Sequence, residues 1–243
     1  GLIGKGRLAE PEEILNEVEI LLSEYKPLKH KKILITSGPT REPIDPVRFI
    51  SNHSTGKMGQ ALAEQSVMWG AQVTFISGPT ALWPRHSNTE NIAITSADEM
   101  YDAVYSRFGD ADIIIYAAAV ADYTPIDVSP IKIKKKEDNF SIALTKTKDI
   151  AFEIGQLKKE GQIMVGFALE TNDALENAKT KLNRKNLDLI VLNSLSDLGS
   201  GFGHDTNKVT ILDKKGRIEF FELKSKQAVA KDILESVIAC LNA

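Results

Sequence analysis

Cysteine is nearly absent from this 243-residue sequence, which has one, Cys240. A single cysteine cannot close an internal disulfide, so nothing points to an oxidising compartment. It lies in an apolar helical stretch with no histidine near it in sequence, and reads as a small buried side chain, not a nucleophile. Long hydrophobic runs are lacking as well. The most apolar one, residues 112–121, is too short to span a bilayer, and residues 1–7 lack the apolar stretch of a secretory signal. A cytoplasmic protein with no membrane partner is expected. There is no excess of charge of one sign: the net charge of −3 argues against a dedicated nucleic-acid binder, which would be basic. His30, His53, His86 and His204 show no metal-ligand spacing, so no zinc site is expected. Two nucleotide signatures are missing too. There is no G-x-x-x-x-G-K-[ST], and Ser37-Gly38-Pro39-Thr40 stands where a dinucleotide-binding fold requires G-x-G-x-x-G.

What is present is an ordinary globular composition, 42% hydrophobic and 26% charged, long enough for a sizeable core. Residues 1–30 read as an amphipathic helix, with Ile14, Val18, Leu21, Leu22 and Tyr25 at helical spacing, followed by a basic linker; the helix's apolar stripe is expected to pack on the main domain. From residue 31 to residue 243, strands alternate with helices. Strands are predicted at 33–36, 73–76, 92–94, 113–120, 163–167 and 187–192, and helices at 56–70, 97–108, 148–159, 173–182 and from about Ser225. Residues 209–212 and 218–221 flank Lys214-Lys215-Gly216 and read as a hairpin. This alternation predicts an α/β fold: a Rossmann-like, doubly wound, mainly parallel sheet with helices on both faces and an antiparallel hairpin extension. A ligand on such a sheet lies outside the carboxyl ends of the strands, near a switch in strand order.

Several segments there can carry chemistry. In Asn52-His53-Ser54-Thr55-Gly56-Lys57-Met58-Gly59, Ser54 or Thr55 can cap the following helix, while Gly56 and Gly59 keep its first turn open. A helix start of this kind suits phosphate; equally, it suits a plain capped helix with glycines for close packing. The run Lys132-Ile133-Lys134-Lys135-Lys136 reads as a mobile loop within 131–138, either a solvated face or a flap closing on polyphosphate. Lys181 and Lys185 are four residues apart and share a helix face; they either reach a ligand or favour the helix C-terminus. Asp122 binds a hydroxyl, a ribose or a magnesium-bound phosphate, or else caps a turn before Pro125.

Together these segments resemble one family. The unbroken run from Ile35 to Gly59 (ITSGPTREPIDPVRFISNHSTGKMG) is similar to phosphopantothenate–cysteine ligases. So are Ala117-Ala118-Ala119-Val120-Ala121-Asp122-Tyr123, Lys132-Ile133-Lys134-Lys135, Gly166-Phe167 with Glu170-Thr171, and Arg184-Lys185-Asn186-Leu187-Asp188. One departure is Thr55, where many relatives have serine; the hydroxyl is retained. Residues 4–13 resemble the end of the flavin-dependent decarboxylase fused ahead of such ligases in bacteria, so the chain reads as the ligase half of a bifunctional protein of coenzyme A biosynthesis, with no flavin of its own.

The resemblance implies that the carboxylate of 4'-phosphopantothenate attacks the α-phosphate of CTP, with magnesium on the triphosphate, and that the cysteine amine then displaces CMP. It implies that Lys132 stabilises charge at the α-phosphate and that Asn52 holds the acyl intermediate. Gly38, Ser54, Gly56 and Gly59 would cradle phosphates. Tyr116, Ala117, Ala118, Ala119 and Asp122 would line the nucleotide and pantothenate pocket, and Lys148, Asp149, Ile150, Ala151, Phe167, Lys181, Lys185 and Asn193 would contact the nucleotide. Arg48 would meet the substrate phosphate in a partner subunit, since the family is dimeric, with the 209–221 hairpin as the expected interface. The resemblance assigns no direct metal ligand. Two other classes compete: an NAD(P)-dependent reductase, which the missing glycine fingerprint opposes, and a non-catalytic nucleotide sensor, which would release no pyrophosphate.

Overall fold

The computed structural model describes residues 11–134, 139–170, 173–194, 201 and 203–242. Its centre is an eight-stranded sheet. The strands are β1 (Lys32–Ser37), β2 (Gln72–Ser77), β3 (Thr89–Ala93), β4 (Ile113–Tyr116), β5 (Ile163–Glu170), β6 (Leu189–Ser194), β7 (Val209–Asp213) and β8 (Ile218–Phe220). Their order across the sheet is β8-β7-β6-β5-β4-β1-β2-β3. The pairings from β3 through β6 are parallel, while β7 is antiparallel to both β6 and β8. This is the expected doubly wound α/β sheet with a hairpin at one edge.

The helices are α1 (Pro11–Leu22), α2 (Lys57–Met68), α3 (Ala97–Tyr105), α4 (Ile150–Gln156), α5 (Ala174–Arg184) and α6 (Lys226–Leu241). The pleat divides the core into two layers, because successive residues of a strand face opposite ways. Ile33, Ile35, Val73, Phe75, Ile113, Ile115, Val165 and Val191 pack with Leu62 of α2 and with Val229, Ile233 and Val237 of α6. Leu34, Ile76, Ile114, Met164 and Ile190 pack on the other face with Met100 and Val104 of α3, Ile154 of α4 and Leu182 of α5. Strands buried on both faces read as continuous apolar runs, as 113–116 does.

Four expectations need correction. The run 113–120 is not one regular strand: β4 ends at Tyr116, and beyond it only single hydrogen bonds and an isolated bridge from Pro39 to Ala119 continue alongside residues 36–40. The stripe of α1 is not packed away, since Ile14, Leu15, Val18, Leu21 and Leu22 are exposed; Tyr25 touches Trp69 edge-on, and Leu28 is fully buried. Neither Ser54 nor Thr55 caps α2; Gly56 occupies the cap in a left-handed conformation. Two short ribbons are not among the predicted strands: Arg41–Pro43 pairs with Phe49–Ser51, and Tyr123–Pro125 pairs with Leu144–Lys146. Short strands interrupted by prolines lack the alternation that betrays a strand in sequence. Lys135, Lys136 and Thr171 lie outside the described residues, as do residues 1–10.

Candidate active site

The chain runs outward from β1 to β2 and β3, then returns to the other side of β1 for β4. Between β1 and β4 the crossovers diverge, leaving a crevice above the strand ends. A cavity of about 920 Å³ opens there. Its wall comes from Thr36 of β1, residues 116–120, the start of α2, the start of α4, residues 166–169 of β5, the end of α5, and Asn193, Gly201, Asn207 and Lys226.

The start of α2 is fastened to the end of β1. The Ser37 hydroxyl donates to the Gly56 carbonyl at 3.2 Å, and the Thr80 hydroxyl donates to the Thr55 carbonyl at 2.9 Å. Gly56 has φ 80°, a conformation that disfavours any residue with a Cβ. Gly59 is glycine for space: a Cβ there would stand 2.2 Å from Ser37 Oγ. The first turn of α2 has no side-chain cap and no acidic residue, so its N–H groups and positive dipole end are available to an anion in the cavity. Close packing of Gly59 against Ser37 and a helix start without a side-chain cap occur together in this geometry.

The crossing segment is held by its backbone. The Asn52 side-chain amide donates to the carbonyls of Ala119 at 3.0 Å and Val120 at 3.1 Å. Ala118 N–H donates to Thr36 Oγ1 and Ala121 N–H to Thr40 Oγ1. With only methyl groups at 117–119, a ligand can approach this backbone closely. On the opposite wall Asp149 accepts from Phe152 N–H, capping α4, and pairs with Arg184 Nη2 at 2.9 Å and Lys185 Nζ at 2.8 Å. Lys148 lies over the Tyr101 ring, 4.3 Å from its centroid, and faces Asp98.

Among the described residues, seven cationic side chains line the cavity (Lys57, Lys146, Lys148, Lys181, Arg184, Lys185 and Lys226) against two acidic ones, Asp122 and Asp149, in a chain of net charge −3. Lys226 is buried, and its ammonium donates to the carbonyls of His204 at 2.6 Å and Gly201 at 3.2 Å. Burial and then the nearby Lys57 charge push its pKa down, while Asp205 opposes them. Lys57 Nζ donates to Asp205 at 2.6 Å and to the Gly203 carbonyl at 3.0 Å; that hydrogen bond and charge hold the Asp205 carboxyl below its usual range. The Tyr116 hydroxyl is buried without a hydrogen-bond partner among the described residues, and burial, then Asp149, pushes its pKa well up.

Residues 28–241 match the family model described as "DNA/pantothenate metabolism flavoprotein C-terminal domain". The chain belongs to this family. It is 48% identical over 241 residues to the coenzyme A biosynthesis bifunctional protein CoaBC of Bacillus subtilis (strain 168), with 98% of this chain and 59% of that protein covered. It is 51% identical over 246 residues to a protein of an unknown prokaryotic organism named cysteine/cysteine sulfinic acid decarboxylase, with 100% of this chain and 68% of that protein covered. A solved C-terminal domain of a CoaBC protein superposes with a TM-score of 0.76 at 40% identity, covering 89% of this chain and 98% of that one. The chain therefore spans about three fifths of the length of the B. subtilis relative.

Within this flavoprotein C-terminal domain the cavity gathers most of the residues singled out in the sequence. Asn52, Ser54, Gly56, Gly59, Tyr116, Ala117, Ala118, Ala119, Asp122, Lys148, Asp149, Ile150, Ala151, Phe167, Lys181, Lys185 and Asn193 all stand in its wall. Gly38, Arg48 and Lys132 do not. Gly38, at φ 69°, turns the chain away from β1 against Ser77 and Gly78. Arg48 and the Lys132 segment meet each other on the first ribbon, outside the wall. Sequence reasoning missed Lys57, Lys226 and Asp205. No local signal shows that the carbonyls of Gly201 and Gly203 are held by lysines at the starts of α6 and α2.

Proposed function

We propose that this chain acts in coenzyme A biosynthesis, joining 4'-phosphopantothenate to cysteine at the expense of CTP through an acyl-cytidylate. The observation that carries the reading is the cavity itself: an excess of cations and an open helix start at a topological switch point, in a family whose relatives include CoaBC proteins. A carboxylate oxygen of phosphopantothenate attacks the α-phosphorus and pyrophosphate leaves. The cysteine amine then attacks the acyl carbon, CMP leaves and the amine loses a proton. The first step brings anions together, so preplaced cations and N–H dipoles lower its barrier. The N–H groups at the start of α2 meet phosphate oxygens; Asn52 supports the acyl group beside 119–120; Lys132 serves the α-phosphate. Magnesium fits as an ion carried by the triphosphate, where it would neutralise phosphate charge: no cluster of three or more His, Cys, Asp or Glu exists among the described residues, Asp149 is committed to Arg184 and Lys185, and Asp122 remains as a carboxylate in the wall.

The active form in this reading is a homodimer, in the full protein fused to an upstream decarboxylase. Val47, Phe49, Ile126, Val128, Ile131, Phe140 and Leu144, on and around the two ribbons, are exposed, against Phe220 alone on the β7–β8 hairpin, and Val47 and Phe49 flank Arg48 in sequence. This favours the ribbons over the hairpin as the contact. The decarboxylase named among the relatives supports a second reading, turnover of cysteine alone, but a 920 Å³ cationic cavity far exceeds one amino acid.

The test is pyrophosphate release with phosphopantothenate and magnesium, comparing CTP with ATP, before and after cysteine is added. Release that requires phosphopantothenate, with amide formed only after cysteine, is the expected result, and CTP is the expected nucleotide. Absence of release with either nucleotide would overturn the ligase reading, and carbon dioxide released from cysteine without nucleotide would replace it with the second.

A further inference from the structure

Asp45 is an acid that neither the cavity nor the proposed reaction uses, and its side chain is fully buried. Its carboxylate accepts from five N–H groups. Oδ1 takes the backbone N–H of Val47 at 2.8 Å and of Arg48 at 2.9 Å, closing a turn around Pro46. Oδ2 takes Arg48 Nε at 3.0 Å, Arg48 Nη2 at 2.5 Å and the backbone N–H of Ile133 at 3.1 Å. Arg48 Nη2 also donates to the Ile133 carbonyl at 2.7 Å. Both backbone groups of Ile133 are therefore held from a turn 85 or more residues away in sequence. A carboxylate so saturated has no lone pair left for a substrate or a metal. Burial alone would push its pKa up, but the N–H groups of Val47, Arg48 and Ile133 and the guanidinium outweigh burial and hold it well below the usual range.

We propose that Asp45 is a positioning residue: by clamping Arg48 and Ile133 to one turn, it fixes where the guanidinium and the lysines flanking Ile133 stand. The inference rests on the ligase reading for what those cations serve, and on geometry for the clamp. Arg48 spends Nε and Nη2 on the clamp and remains 42% exposed, so its Nη1 edge is presented to an anion in a fixed direction. Lys132 and Lys134 are exposed on either side of the clamped Ile133. Ser129, whose N–H donates to the Ile44 carbonyl and whose hydroxyl donates to the Ile131 carbonyl, ties the approach to the same turn. A solvated basic loop has no need of a buried acid at its root. Cations that must meet a phosphate in register do, because a displacement of about an ångström can cost on the order of a hundredfold in rate.

The decisive variant is Asp45→Asn, which keeps an acceptor for the turn but loses the charge and sets an amide N–H₂ against Arg48 or Ile133. Two readouts separate the clamp from the reaction it serves. Trypsin cleavage after Lys132 and Lys134 is expected to rise about tenfold while cleavage elsewhere is unchanged. For phosphopantothenate-dependent pyrophosphate release, kcat/KM is expected to fall about 10–100-fold, with the thermal shift given by CTP retained. An unchanged cleavage rate would overturn the clamp. Faster cleavage with wild-type kinetics for phosphopantothenate would overturn its service to the site. Should the wild-type chain release no pyrophosphate at all, the ligase reading fails and takes the service role with it, while proteolysis still decides the clamp. Should Asp45→Asn fail to fold, Arg48→Lys reads the same contact: it keeps the charge but loses the two-nitrogen fork, and the same rise in cleavage, of smaller size, is expected. No rise there would overturn the clamp equally.

Discussion

Gly59 shows how much one position can decide. In sequence it was one of two glycines opening a helix, readable either as room for a ligand or as room for a neighbour. A Cβ at Gly59 would lie 2.2 Å from Ser37 Oγ and 2.5 Å from Ser37 Cβ, so the neighbour is named: the end of β1. Gly59→Ala is expected to lower stability by about 1–3 kcal/mol, the usual cost of overpacking a tight contact, and to move the start of α2 off the strand, weakening phosphate binding. Thermal unfolding with and without CTP tests both effects; an alanine variant with wild-type Tm and a full response to CTP would show that the contact yields without cost. Lys226 makes the opposite point. It looked like an ordinary first residue of α6, yet it is buried at the cavity wall, and nothing in its sequence neighbours signals that.

At the scale of elements, Asp149 joins α4 to α5. Its side chain caps α4 through Phe152 N–H and pairs with Arg184 and Lys185 at the end of α5. Asp149→Ala should lose the cap, worth about 1 kcal/mol, and release two cations into the cavity. Asp149→Asn should keep the cap and lose only the ion pairs. Urea unfolding is expected to place the midpoint of the asparagine variant between wild type and the alanine variant. If the two variants unfold together, the cap contributes nothing and this account of α4 is wrong. The same scale explains the misread strand at 113–120. Ala117 N–H still donates to the Thr36 carbonyl and Ala119 N–H to the Gly38 carbonyl, so the apolar run does follow β1. Beyond Gly38 only an isolated bridge between Pro39 and Ala119 continues the pairing, and the segment becomes cavity wall. Apolarity marks burial, and here it marked burial beyond the strand.

For the whole molecule, the contrast is between a net charge of −3 and a cavity lined, among the described residues, by seven cations and two acids. Binding of inorganic triphosphate is expected to raise Tm without any nucleoside, and to weaken as salt rises. At about 0.15 M ionic strength the screening length is roughly 8 Å, comparable with the spacing of charges around an open cavity. Calorimetric titration of triphosphate and of CTP at low and at physiological salt checks this. Salt-insensitive binding of both would mean that the cations are spent within the chain, on partners such as Asp149 and Asp205, and that the charge excess does not recruit phosphate.

The sequence by itself determined the class of fold, the order of its principal strands and helices, and the segments that would carry the site, because periods of two and of 3.6 and the chemistry of a run such as Asn52–Gly59 are local properties. The tertiary structure alone decided which segments meet. The switch between β1 and β4 brings residues 52–59, 116–122, 148–151 and 181–185 to one crevice. It also placed Lys57 and Lys226 on the carbonyls of Gly201, Gly203 and His204, and stationed Asp45 between Arg48 and Ile133, 85 residues apart. Contacts of that range depend on how the crossovers fold the chain back over the sheet, which no window of neighbouring residues encodes.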